Sequence, residues 1–377
     1  MGMYEPIEVG TRSQRTFSFA ARLLGALKLD GPLLIGLGLI TLYGLVVLYS
    51  ASGQNLYMVR NAMLRVLIGT VAMCALARVK PSFLRRVSPW MYAIGVVLLV
   101  AVDVTGHIGK GAQRWLDLGF FRFQPSEIMK LAVPMTCAWW LHDRPLPPSW
   151  GSLFILAIII LIPTGLTILQ PDLGTGGLIL IGGMMVVIMA GLQFRVIFGL
   201  AGLGAAAAWL AWQYVLYDYQ KQRVFTLLDP ESDKLGAGYH IIQSQIAIGS
   251  GGLFGKGWMH GSQAQLEFLP ERSTDFIFAV IGEEFGLLGT IFVVCLFAVF
   301  LWRGVRAAIV TRDTFGRYLA TGIVAMICIQ AFFNISVVLA LLPTKGIPLP
   351  FISYGGSSLF VMLASVSVLL NITQQAD

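Results

Sequence analysis

The chain has 377 residues, of which 56% belong to the apolar set AVILMFWYC and only 12% are charged. A soluble domain carries about 25% charged residues, so the composition excludes a disordered chain, a solenoid of polar repeats and an ordinary cytosolic enzyme. The net charge of +7 is therefore sorted by membrane side before any partner is inferred from it, and it is not assigned to nucleic acid.

The first 32 residues are polar and carry Arg12, Arg15, Arg22 and Lys28. They form an N-terminal tail ahead of an apolar run that is too long and too late for a cleaved signal peptide, and which reads as a retained anchor. Ten runs are long enough to cross the bilayer: 33–50, 59–77, 89–105, 126–142, 151–169, 174–191, 195–214, 274–301, 316–341 and 355–372. The predicted fold is an all-α polytopic protein, with a ten-helix domain over 33–372 and a short C-terminal tail over 373–377. Of the 26 Lys and Arg residues, 14 fall in the tail and in the loops that ten spans place on one side. These include Arg78, Lys80, Arg85, Arg86 and Arg144, and the positive-inside rule makes that side and both termini cytoplasmic. The four cysteines, Cys74, Cys137, Cys295 and Cys328, all lie in apolar runs. They read as small packing residues, with neither disulfide nor metal spacing.

The outer segments hold the chemistry-bearing residues. Lys110, Arg114, Arg122 and Lys130 crowd a short outer stretch, against the charge rule. They either pair with Asp103, Asp117, Glu127 or lipid headgroups, or hold an anionic ligand. In FQPSEIMK, Pro125 suits a first helical turn, and Glu127 and Lys130, three apart, share a face. QPDLGTGG puts Asp172 at another outer turn. The segment 215–273 is the one large outer loop. Its Ile241, Ile242, Ile246 and Ile248 predict a short amphipathic helix. Six glycines follow between Gly249 and Gly261. They form either a flexible turn or a loop able to bring backbone N–H groups to phosphate oxygens, without the spacing of a P-loop.

In LPERSTDFIFAVIGEEFG, Ser273 is predicted as an N-cap with Asp275 in the first turn of the eighth span. There Asp275 would be a carboxylate on a rigid element, suited to general base work. Glu283 and Glu284 lie about 12–14 Å deeper and are functional candidates or partners of polar groups in the bundle. LPTKGIPLPFISYGGSS is too rich in proline for a regular helix and should line a cavity or a protein contact. At this level the residues fit an enzyme acting on an anionic lipid, or a transporter or flippase of that lipid. No inverted repeat is visible.

The stretches KGAQRWLDLG, FQPSEIMKLAVP, QPDLGT, LLDPESDKLGAGYHIIQSQIAIGSGGLFGKGW, LEFLPERSTDFIFAVIGEEFG and PLPFISYGGSS resemble the SEDS family (shape, elongation, division and sporulation) over nearly the whole chain. AQLEFLPERSTDFIF and GKGWMHG resemble its elongation branch more than its division branch. The resemblance implies the ten-helix SEDS fold, related to the GT-C glycosyltransferases. It also implies a peptidoglycan glycosyltransferase that polymerises lipid II on the outer face of the cytoplasmic membrane, releasing undecaprenyl pyrophosphate. The implied partners are a class B penicillin-binding protein and other elongation-complex membrane proteins. Asp275 matches the family's catalytic aspartate, and Glu127 and Lys130 match its acidic and basic pair. Lys130, Arg114, Lys110, Lys256 and Arg272 are the candidate cations for the departing pyrophosphate. No cofactor is demanded by the sequence; a Mg or Mn ion is compatible, with Glu127 or Asp172 nearby. The alternatives are a lipid II flippase and a non-catalytic activator of the penicillin-binding protein.

Overall fold

The computed structural model describes residues 30–109, 112–117, 122–214, 216–233, 236–266, 268–269, 271–343 and 346–374. Lys110, nearly all of the N-terminal tail and residues 375–377 lie outside them. Ten helices match the ten apolar runs. They are α1 (Gly31–Ala51), α2 (Leu56–Leu76), α3 (Pro81–Thr105), α4 (Pro125–Leu141), α5 (Trp150–Leu169), α6 (Leu173–Met189), α7 (Phe194–Tyr214), α11 (Ile277–Val310), α12 (Thr314–Val338) and α13 (Ser357–Gln374). Eight of these are long and apolar enough to cross a membrane by length and composition. The other two, α4 and α6, have 17 residues each. The protein is a multi-pass membrane protein.

Local chemistry sets the ends of these helices. Asp30, Asn55, Asp172 and Asp313 each accept a backbone N–H from three residues on, at 3.0–3.1 Å, which satisfies a donor the helix cannot. Proline occupies the first turn of α1, α3 and α4, where a missing N–H costs nothing. The core is built on α4 and α12. Along α4 nearly every side chain is buried, including Glu127 and Lys130, and α12 packs against α4, α6 and α11. No residue of α7 is fully buried, and only Val196 and Ile197 of this helix pack against the core, so most of its apolar surface faces outward.

Three features depart from the sequence expectation. The stretch between α3 and α4 is an antiparallel sheet of β1 (His107–Gly109), β2 (Ala112–Asp117) and β3 (Arg122–Phe123), in the order β1-β2-β3. The loop between α7 and α11 is largely helical, with α8 (Asp218–Leu228), a short 3-10 turn, the predicted amphipathic helix as α9 (Ala237–Gly251), and α10 (Ser262–Gln265). α9 packs along α11, with Ile241, Ser244 and Ala247 buried, so this half of the loop belongs to the bundle. Finally, Ser273 does not cap α11. The helix starts at Ile277 behind Phe276, and Asp275 sits in the preceding turn. Ser273 Oγ donates to Ala51 O at 3.2 Å, a tertiary bond that draws the hydroxyl away from the helix start.

The backbone of α11 is broken at Gly286 (φ 64°, ψ −158°), about 13 Å along from Ile277. A break inside a bilayer must find new partners for the freed backbone groups, and the glycine-rich segment supplies them. Lys256 N donates to Glu283 O at 2.9 Å and Gly257 N to Glu284 O at 3.0 Å. In return, Leu287 N and Leu288 N donate to Gly252 O and Leu253 O at 2.9 and 3.2 Å.

Candidate active site

Asp275 is held from three directions through backbone groups. Asn334, on α12, donates from Nδ2 to Asp275 O at 2.8 Å and to Ile347 O at 2.7 Å. Ser353 Oγ donates to Thr274 O at 2.6 Å, and Tyr354 N donates to Ser273 O at 2.9 Å. The proline-rich loop is thus laced to the ERSTD turn. A methyl added at Gly346 (φ +66°) would stand 3.6 Å from Asp275 Oδ2, so the carboxylate faces this loop. His240 on α9 stacks on Phe276, with ring centroids 5.8 Å apart and planes at 20°. Burial lowers the His240 pKa, opposed by Glu271 and Asp233.

One helical turn before Asn334, Gln330 carries the second cluster. Lys130 Nζ lies 2.7 Å from Glu127 Oε2 and 3.3 Å from Gln330 Oε1. Gln330 Nε2 donates to Pro348 O at 3.0 Å. Lys130 is only 2% exposed and Glu127 6%, so the ion pair is screened from solvent. The Asp275 turn and the Glu127–Lys130 pair therefore hang from Asn334 and Gln330, which lie about 5–6 Å apart on one face of α12, and both are tied to the 347–348 segment of the loop between α12 and α13.

The other predicted cations have structural partners. Arg114, on β2, donates from Nε to Gln170 O at 2.9 Å and from its terminal nitrogen to Pro171 O. This clamps the turn whose Asp172 accepts Gln124 Nε2 at 3.0 Å. Two of five guanidinium donors are thereby used. Arg272 donates to Ala264 O. Lys256 Nζ contacts Glu283 Oε1 at 2.7 Å, and the same carboxylate accepts Gln263 N at 2.9 Å and Ala264 N at 3.2 Å. Neighbouring Glu284 accepts Ser50 Oγ. Glu283 and Glu284 are thus anchors of the segment that stitches the broken helix, and the glycines serve close backbone contact there. A Cβ at Gly251 would lie 2.0 Å from Gly282 O. Among the described residues no three His, Cys, Asp or Glu side chains converge on a metal geometry.

Asn334, Gln330 and Ser353 were not singled out from sequence. The available signal was two amide side chains four residues apart in an apolar span, a costly placement that marks functional positions.

Residues 31–377 match the family described as cell cycle protein, which groups FtsW, RodA and SpoVE. The chain is 47% identical over 344 residues to the peptidoglycan glycosyltransferase MrdB of Escherichia coli K12, covering 91% of this chain and 93% of that one. It is 38% identical over 352 residues to stage V sporulation protein E of Bacillus subtilis, covering 88% and 93%. Among solved structures, one of a peptidoglycan synthase complex that coordinates polymerization and crosslinking matches with a TM-score of 0.80 at 29% identity, covering 92% and 98%. The rod shape determining protein RodA of Thermus thermophilus matches with a TM-score of 0.70 at 29% identity, covering 92% and 96%. The chain belongs to this SEDS family.

Proposed function

We propose that the chain is a peptidoglycan glycosyltransferase of the elongation branch, polymerising lipid II at the outer face of the cytoplasmic membrane with both termini inside. The observation that carries this reading is the tethering of Asp275. A carboxylate whose flanking backbone is fixed by Asn334, Ser353 and Tyr354 is pre-positioned for one proton transfer. The family relationship supplies the substrate: the related MrdB carries the glycosyltransferase name.

In this mechanism the acceptor is the GlcNAc 4-hydroxyl, a poor nucleophile until Asp275 takes its proton. The hydroxyl oxygen attacks MurNAc C1 opposite the pyrophosphate, the C1–O bond breaks, and the anomeric centre inverts. Negative charge gathers on the undecaprenyl pyrophosphate, which leaves. Arg114 retains unused donors and, with Arg272, contributes positive charge near the outer end of the bundle, whereas Lys256 is paired with Glu283 beside the break in α11. Buried Lys130 acts with Glu127 as the charge pair beneath the Asp275 turn. Glu127 and Asp172, the carboxylates considered for a divalent ion, are engaged by Lys130 and by Thr175 N and Gln124, so no step is routed through a metal.

The cross-linking partner is a class B penicillin-binding protein. The similar solved structure of a peptidoglycan synthase complex that coordinates polymerization and crosslinking supports this pairing.

The test is polymerisation of labelled lipid II by purified protein, read on a product gel. Asp275→Asn should lose about 10²–10⁴-fold in rate while keeping its thermal midpoint and partner binding. Wild-type product from the Asn variant would overturn the assignment, and so would chemical labelling that reaches position 275 from the cytosolic side.

A further inference from the structure

The opposite end of the bundle holds a second charged cleft that polymerisation does not use. It has a volume of about 700 Å³ and lies between the first turns of α3 and the end of α4. Arg85 and Arg86 project from α3, Trp139 and Trp140 from the last turn of α4, and Arg144 from the following turn. The Arg144 guanidinium is fixed, stacked 3.6 Å above the Trp140 ring with Nε donating to Trp140 O at 3.0 Å. The one carboxylate in the lining, Asp143, is taken by His142 Nε2 at 2.7 Å. No carboxylate lies within ion-pair distance of Arg85 or Arg86 among the described residues. Trp140 Nε1 is a buried donor on the same wall with no hydrogen-bond partner.

Three guanidiniums against one engaged carboxylate make a site for a phosphate-type anion. Its position points to the source. These cations belong to the set that the positive-inside rule assigns to the cytoplasmic side, and two tryptophans mark the interfacial depth. From this cleft an exposed apolar stripe runs down one face of α3, through Phe83, Trp90, Ile94 and Val97. Those residues are spaced by 7, 4 and 3 positions, which is one helical face. A polar anion site at headgroup depth, continued by an apolar track, has the shape of a phospholipid.

We propose that the α3–α4 cleft is a binding site for an anionic phospholipid of the inner leaflet, with the phosphodiester on Arg85, Arg86 and Arg144 and an acyl chain along α3. Basic pockets between membrane helices on the cytoplasmic side take such headgroups.

The experiment titrates full-length protein in neutral-detergent micelles, followed by native mass spectrometry. The probes are phosphatidylglycerol, phosphatidylcholine with the same chains, and inorganic phosphate. Phosphatidylglycerol should bind more tightly than phosphatidylcholine, and inorganic phosphate should fail to displace it. Arg85→Gln/Arg86→Gln should weaken phosphatidylglycerol about 30-fold, with each arginine contributing about five-fold. Arg306→Gln/Arg312→Gln, two cations elsewhere on the same side, should leave binding unchanged. If the double variant does not fold, Arg86→Gln alone provides the five-fold test. Equal affinity for the two lipids, wild-type binding by the α3 variants, or an equal loss in the Arg306/Arg312 control would overturn the site. Displacement by inorganic phosphate at equal concentration would reassign it to a soluble anion and overturn the lipid proposal.

Discussion

Alanine substitutions at three glycines of the 249–257 segment separate the ways in which that segment holds the broken helix. Gly255 has φ +79°, and a Cβ there would lie 2.1 Å from Glu284 O, 2.4 Å from Glu284 C and 2.6 Å from Phe285 N. All three are backbone atoms and cannot swing aside. Ordinary contact begins near 3.4 Å, so the segment has to back away by more than 1 Å. That breaks the bonds from Lys256 N to Glu283 O and from Gly257 N to Glu284 O. Each buried polar group left unsatisfied costs about 1–3 kcal/mol, and the left-handed backbone adds about 1–2 kcal/mol for a side chain. Gly255→Ala should therefore cost roughly 3–8 kcal/mol. Gly252 has a similar φ of +57° but open space around it, so Gly252→Ala isolates the backbone term at about 1–3 kcal/mol. Gly249 lies in α9 with nothing within 4 Å, and Gly249→Ala should be neutral or gain up to about 1 kcal/mol. Thermal midpoints of the purified proteins in one detergent should then fall in the order Gly249→Ala, wild type, Gly252→Ala, Gly255→Ala. Equal midpoints for the 252 and 255 variants would show that the segment does not press on α11, and the stitching argument would fail.

Removing Lys130 alone, as Lys130→Met, strands the buried Glu127 carboxylate and should cost about 3–5 kcal/mol; Glu127→Gln/Lys130→Met should regain much of that, and a double-mutant cycle of melting midpoints reads the coupling. Asn334→Ala removes the tether to Asp275 O and Ile347 O, and should lower the polymerisation rate about ten-fold, equivalent to about 1.4 kcal/mol, with lipid II affinity nearly unchanged; equal losses in both would mark a merely structural role. His240, whose pKa is lowered by burial, stays neutral in the fold while the unfolded chain protonates near pH ~6.5. Stability is thus flat above that pH and falls as pH drops through it; melts of His240→Phe across this range should lose that part of the slope.

The ten apolar runs were legible because each needs only length and composition, and each has its helix in the structure. The boundaries were less legible where tertiary bonds decide them. Ser273 has the composition of a cap, yet its hydroxyl is used by Ala51, some two hundred residues earlier in the chain. The sheet between α3 and α4 was missed because its strands are only 3, 6 and 2 residues long, too short for an alternation to register. The Glu127–Lys130 pair could be read because both members lie on one helix at a spacing of three. Lys256 and Glu283 are 27 positions apart, and nothing local announces that they meet. Gly286 illustrates the limit most clearly. Glycine is common in membrane helices, so its identity alone does not signal a break; only the backbone bonds from the facing segment do.

That break also explains why a soluble-looking loop is so rich in glycine. Two backbone segments can press together this closely only where no Cβ stands between them. Gly251 and Gly255 on one side, and Gly282 and Gly286 on the other, meet that requirement, since a Cβ added at any of the four would fall 2.0–3.0 Å from the opposing chain. The consequence reaches the Asp275 turn. The first half of α11 starts one residue after Phe276 and is clasped at its far end by the Lys256 and Gly257 bonds. The Asp275 turn is clasped at its near end by α12 and the proline-rich loop that follows it. A carboxylate placed outside a helix would ordinarily wander with its loop. Here both flanks are fixed by bonds between backbone groups and short side chains, which leave few rotamers to lose. The position of the Asp275 carboxylate is therefore set during folding rather than by a ligand.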